Sequence, residues 1–93
     1  MNYTYILKLK NGNYYCGWTN DIEKRLAAHQ AGTASKCTRS QRPVELVWLK
    51  TSETKEEAMS LEWHIKQLSR SEKEKLVAEY KKSKDESEKP EGE

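Results

Sequence analysis

Two phenols, Tyr5 and Tyr15, an arginine and a histidine one helical turn apart, Arg25 and His29, and a glutamate far along the chain, Glu62, are the residues whose types and spacing could do chemistry. A phenol can pass a proton, a guanidinium presents a planar fork to two oxygens of an anion, and a lone carboxylate can hold a hard cation. Each needs an element that brings it to a common hollow.

The first such element is a ribbon. Residues 2–10 alternate, with Tyr3, Tyr5, Leu7 and Leu9 on one side and Thr4, Ile6, Lys8 and Lys10 on the other, as a strand with one buried face should. Asn11-Gly12 is the turn, and 13–18 is the second strand of a hairpin. Register decides whether the tyrosines can cooperate. With a two-residue turn, Leu7 would face Cys16 and Tyr15 would emerge opposite to Tyr5, because one residue of slip inverts every side chain. With Lys10-Asn11-Gly12 as a three-residue loop closed by a left-handed glycine, Leu7 faces Tyr15, Tyr5 faces Gly17, and both phenols share a face. A joint site therefore requires Gly12 at positive φ.

Three pairs have the spacing of helix capping boxes: Asn20 with Glu23, Thr54 with Glu57, and Ser71 with Glu74. They predict a helix ending near Gly32 and two more at about 54–68 and 71–80. A loop to Pro43 leads into a third strand at 44–49. The order β-β-α-β-α-α predicts an α+β domain, a small, mainly antiparallel three-stranded sheet covered by three helices. Residues 1–80 would form this domain. Beyond Lys81 the charged stretch 81–93 has no apolar residue except Pro90 and Gly92, and is expected to be a disordered tail.

On the first helix, at about 100° per residue, Arg25 and His29 border the stripe of Ile22 and Leu26. An arginine there either meets a fixed anion or covers the core edge with its stem. Glu62 abuts the stripe of Ala58, Leu61, Ile65 and Leu68 on the next helix. A carboxylate held against a core needs a cation or a donor. Lys66, Arg25 and a metal ion are the possibilities, and the metal is favoured by the company Glu62 keeps.

The triplet at 3–5, nine residues, and then Tyr15-Cys16-Gly17 resembles the signature of the GIY-YIG nuclease superfamily, and Arg25, His29 and Glu62 stand where that family keeps its other site residues. The likeness covers about residues 3–80 and is strongest to small stand-alone bacterial members. It implies a metal-dependent endonuclease that hydrolyses DNA phosphodiester bonds in DNA repair or recombination. By the same resemblance Tyr5 is the general base toward water, Tyr15 orients water and metal, Arg25 stabilises charge on the phosphate, and Glu62 holds one divalent ion, Mg²⁺ or Mn²⁺. An ordinary phenol pKa near ~10 is high for a base, so that role asks for an acceptor or cation beside Tyr5. His29 could accept a proton from a tyrosine or contact a phosphate. Tyr3 and Cys16 replace residues of the two triplets, and Trp18 stands where several relatives place a lysine. The alternative is thus a catalytically inactive nucleic-acid-binding module on the same fold. Gly17 is retained, as close approach of backbone requires.

At 93 residues and 34% hydrophobic, the chain allows one domain with a thin core. Its +2 charge is uneven: residues 1–50 carry eight Lys or Arg against three acids, and no acid interrupts the stretch from Lys24 to Arg42. Lys36, Arg39 and Arg42 in that stretch are candidate nucleic-acid contacts, so DNA is the expected partner. Cys16 and Cys37 are expected to be free thiols; with His29 and His64 they are too scattered for a zinc site. No long apolar run or signal-peptide pattern is present, so a cytoplasmic monomer is expected, with neither membrane nor small-molecule cofactor.

Overall fold

A computed structural model describes residues 1–34 and 40–88, excepting the side chains of 83–88. Its elements are β1 (Asn2–Lys8), β2 (Tyr14–Thr19), α1 (Ile22–Ala31), β3 (Glu45–Ser52), α2 (Lys55–Lys66) and α3 (Arg70–Glu88). The strands make one antiparallel sheet in the order β2-β1-β3. This is the α+β architecture and element order that the sequence predicts.

β1 is the central strand, and both its faces are covered. Tyr5, Leu7 and Leu9 join Val44 in one cluster, onto which Ile22 and Leu26 of α1 pack. Ile6, Cys16 and Trp48 join Ile65 of α2 in a second, onto which Leu61 of α2 and Leu76, Val77 and Tyr80 of α3 pack. The expectation of a single buried face on β1 is therefore corrected. Thr4 is fully buried and its hydroxyl donates to the Ala58 carbonyl, 3.0 Å away, so its polar group is satisfied beneath α2. Between Ile6 and Leu7 the β1–β3 register shifts, leaving Val47 as the extra residue of a bulge.

The hairpin closes as the three-residue loop. The Leu9 amide donates to Asn13 O (2.8 Å), the Gly12 amide donates to Leu9 O (2.9 Å), and Gly12 has φ 87°. Arg70, at the start of α3, holds this loop: its Nη2 donates to Gly12 O (2.8 Å), and its guanidinium carbon lies 5.1 Å from the centre of the Tyr14 ring.

Helix starts follow local chemistry with two shifts. Thr54 caps α2, accepting from the Glu57 amide at 3.2 Å and donating to Glu57 Oε1 at 3.1 Å. Asp21, not Asn20, caps α1: its carboxylate accepts from the Lys24 amide, and Gly32 closes the other end at φ 82°. The capping pair of α3 falls two residues earlier than expected, at Ser69 and Glu72, while Glu74 pairs with Arg70. It also continues to Glu88, past the expected end at Tyr80. No described helix is long and apolar enough to cross a membrane.

A Cβ on Gly12 would meet nothing within 4 Å, so Gly12→Ala adds no clash and isolates the backbone term. The left-handed conformation should cost about 1–2 kcal/mol. In thermal melts that is a fall of roughly 4–8 °C per kcal/mol for a domain of this size, with Gly12→Asn losing less.

Candidate functional site

The loop at Gly12 sets which side chains meet. In the observed register Leu7 lies opposite Tyr15 and Tyr5 opposite Gly17, so both phenols rise from the face that α1 covers. The Tyr5 ring lies across Gly17. A Cβ there would come within 2.6 Å of the Tyr5 hydroxyl oxygen, 2.9 Å of Tyr5 Cζ and 3.4 Å of Tyr15 Cε1. The missing side chain at Gly17 makes room for one phenol and brings the other beside it.

α1 supplies the remaining groups on this face. His29 is 1% exposed, and its Nε2 is 2.9 Å from the Tyr5 hydroxyl in a buried hydrogen bond. Its ring stands edge-on to both tyrosines, with centroids 5.7 Å from Tyr5 and 5.3 Å from Tyr15. Of the two uses the sequence left open for His29, the structure shows the tyrosine partner. One turn earlier, Arg25 is exposed and forms no side-chain hydrogen bond or ion pair with a described residue.

Burial governs the titration of this pair. It raises the Tyr5 phenol well above its usual range, with Tyr15, Cys16 and Glu62 adding to the rise and Arg25 opposing it. Burial likewise lowers His29 below its ordinary 6.5, and Arg25 lowers it further. The resting pair is thus a protonated phenol and a neutral imidazole. In the tautomer with its proton on Nδ1, His29 accepts the Tyr5 proton at Nε2. The acceptor and cation that a basic tyrosine asks for are both present, yet desolvation outweighs them.

Glu62 comes from the other layer, on α2. Its half-buried carboxylate lies 3.3 Å from Lys66 Nζ, one of the partners the sequence allowed. Its charge still reaches the site, since it raises both Tyr5 and Cys16. Cys16, on the α2 face, is pushed up to about 12, first by burial and then by Glu62, which leaves a protonated and unreactive thiol. Arg42 donates from Nη1 to the Gln30 carbonyl (3.2 Å) at the end of α1. Lys36 and Arg39 lie outside the described residues. Gln30 itself escaped the sequence analysis: its amide accepts from Val44 N (3.2 Å) and donates to Val44 O (2.6 Å), tying α1 to the start of β3. Its only sequence signal was its position beside His29.

Comparison with known proteins identifies the family. The family model described as GIY-YIG catalytic domain matches residues 1–75. A UPF0213 protein of Clostridium perfringens is 49% identical over 78 residues, covering 84% of each chain. UPF0213 protein YazA of Bacillus subtilis is 39% identical over 84 residues, covering 90% of this chain and 85% of its own. The solution NMR structure of a UPF0213 protein from Bacillus halodurans is 44% identical, covers 84% of each chain and superposes with a TM-score of 0.56. The chain belongs to the GIY-YIG family of nuclease domains, whose substrates are nucleic acids, and its relatives are small stand-alone bacterial proteins.

Two measurements test the packing described. Gly17→Ala should destabilise by about 1–3 kcal/mol through overpacking, and Tyr5→Phe in that background should recover part of the loss, a non-additivity visible in denaturant melts. Because His29 titrates lower folded than unfolded, its stabilisation is complete above the unfolded value of 6.5 and drains as pH falls toward the depressed folded value. The Tm of the wild type should therefore drop more steeply than that of His29→Asn between about pH 7 and pH 5.

Proposed function

We propose that this protein is a divalent-metal-dependent endonuclease that hydrolyses phosphodiester bonds of DNA, in repair or recombination. The observation that carries the proposal is the buried Tyr5–His29 hydrogen bond at 2.9 Å, beside an exposed Arg25 to which no described acid is paired. A guanidinium in that position suits two non-bridging oxygens of a phosphate.

The chemistry follows from the resting protonation states. As a water attacks phosphorus, its proton passes to the Tyr5 oxygen and the Tyr5 proton passes to His29 Nε2. The new O–P bond forms, the P–O bond to the leaving strand breaks, and the leaving oxygen takes a proton from solvent. Charging His29 is uphill in the free protein, because burial and Arg25 both lower its pKa. A phosphate bound at Arg25 neutralises that cation and adds negative charge nearby, which favours imidazolium. Tyr15, edge-on to His29, orients the water.

Among the described residues no group of three or more His, Cys, Asp or Glu is placed to hold a metal; the family resemblance assigns the ion to the Glu62 carboxylate alone. That fits Mg²⁺ or Mn²⁺, which keeps several waters and takes further oxygens from a phosphate. When bound, such an ion polarises the phosphoryl group and neutralises the departing oxygen. Glu62 would hold it on exchanging its 3.3 Å contact with Lys66.

A second reading, nucleic-acid binding without turnover, is favoured by the raised pKa of Tyr5 and by Trp18, which faces α2 with Thr4 and so supplies no cation to the phenols. Cleavage of duplex and branched DNA with Mg²⁺ or Mn²⁺ decides. The wild type should cut, and Tyr5→Phe, His29→Ala, Arg25→Ala and Glu62→Ala should each lower the rate by about 100-fold or more. Equal cleavage by all five proteins would overturn the proposal, and DNA binding without cleavage by the wild type would establish the second reading.

A further inference from the structure

Along the outer flank of α1 runs a groove of about 330 Å³, between the end of β2 and the segment that follows the α1 C-cap. Thr19, Asp21, Lys24, Arg25, Ala28 and Thr33 are among the residues that line it. It is separate from the pair formed by Tyr5 and His29, yet Arg25 belongs to its wall and also acts electrostatically on both those residues. Site and groove therefore meet at one guanidinium.

The charges of this groove point to an anion. Lys24 and Arg25 are both exposed, and neither side chain makes a hydrogen bond or ion pair with a described residue. Asp21 is the acid of the lining, and one of its carboxylate oxygens is already engaged, accepting from the Lys24 amide at 3.1 Å as the α1 cap. Its negative charge also sits at the positive end of the helix, which offsets it locally. Ala28, Thr19 and Thr33 add no charge to the wall, and the two threonine hydroxyls donate to the Asp21 and Ala28 carbonyls. The volume falls at the low end of ligand clefts, about 300–1,000 Å³, and exceeds what a single phosphate needs.

We propose that this groove seats the phosphodiester next to the one being cut, with Lys24 as its cation and Arg25 as the link between the two phosphates. This rests on the nuclease reading above and adds the path of the substrate strand to it. Sequence patterning alone places Lys24 as a solvating charge on the far side of α1. The backbone turning from β2 into α1 and the segment after Gly32 wall it into a cleft. Lys24 is a binding residue here and takes no part in proton transfer.

The test compares Lys24→Ala with Lys55→Ala, an exposed lysine on α2 that lines no part of the groove, so that both variants lose one charge. DNA oligonucleotide binding is followed by fluorescence anisotropy in EDTA over a range of salt. Lys24→Ala should weaken binding about three- to tenfold and reduce the slope of log K against log salt by nearly one, with Lys55→Ala close to wild type. A methylphosphonate placed at single positions beside the scissile phosphate should cost the wild type affinity at one neighbouring position and cost Lys24→Ala nothing further there. In cleavage assays Lys24→Ala should raise KM and leave kcat unchanged. Equal effects of the two lysine variants, or an undiminished methylphosphonate penalty in Lys24→Ala, overturn the groove even if cleavage proceeds. Wild-type binding without cleavage defeats the nuclease reading alone and leaves the groove to be judged by the binding data.

Discussion

Side chains on a strand alternate with a period of two, so the length of the loop at the hairpin tip decides what the ribbon can do. The loop holds three residues because Gly12 takes a left-handed backbone at φ 87°. That choice sends Tyr5, Tyr15 and Gly17 to one face. Had the turn been one residue shorter, Tyr15 would have joined Ile6 and Trp48 beneath α2, and His29 would have had a single phenol beside it. Every later contact of the site presupposes this register.

A domain so small affords few ways to hold such a ribbon still, and here the sheet is gripped from both sides. α1 lies on the phenols, while α2 and α3 seal the opposite face around Ile6, Cys16 and Trp48. The loop that sets the register is itself anchored, since Arg70 donates to the Gly12 carbonyl and stacks on Tyr14. Stability and function are thereby joined: the helix that completes the second core also clamps the turn that aligns the first. Glu62 belongs to that second layer, and its charge adds to the rise of the Tyr5 phenol.

Desolvation sets the resting state of the site. A phenol and an imidazole buried together both avoid charge, so the hydrogen bond between them is neutral and the proton stays with Tyr5. The cations remain outside this pair, on the exposed side of α1, where Arg25 and Lys24 face solvent and pair with no described acid. In the proposed reaction an arriving polyanion would occupy Arg25, which adds to the effect of burial in holding His29 neutral.

Much of this was legible in the residues. The alternation of 2–10, the Asn11-Gly12 turn, Thr54 with Glu57 and Gly32 as a C-cap are local signals, and each concerns groups within a few residues of one another. Where several short polar residues compete locally, the choice fell to the backbone: Asp21 displaced Asn20, and Ser69 displaced Ser71. The two-sided burial of β1 was hidden, because Thr4, in line with the exposed Lys8, mimics a solvent face until it finds the Ala58 carbonyl. By itself the sequence determined the order of elements and the family signature, since periodicity and spacing are properties of the chain, and through that resemblance it nominated Tyr5, Tyr15, Arg25, His29 and Glu62 as candidates. Only the tertiary structure decided that His29 bonds Tyr5, that Glu62 rests against Lys66 and that Lys24 lines a cleft, because those depend on which distant surfaces exclude water from one another.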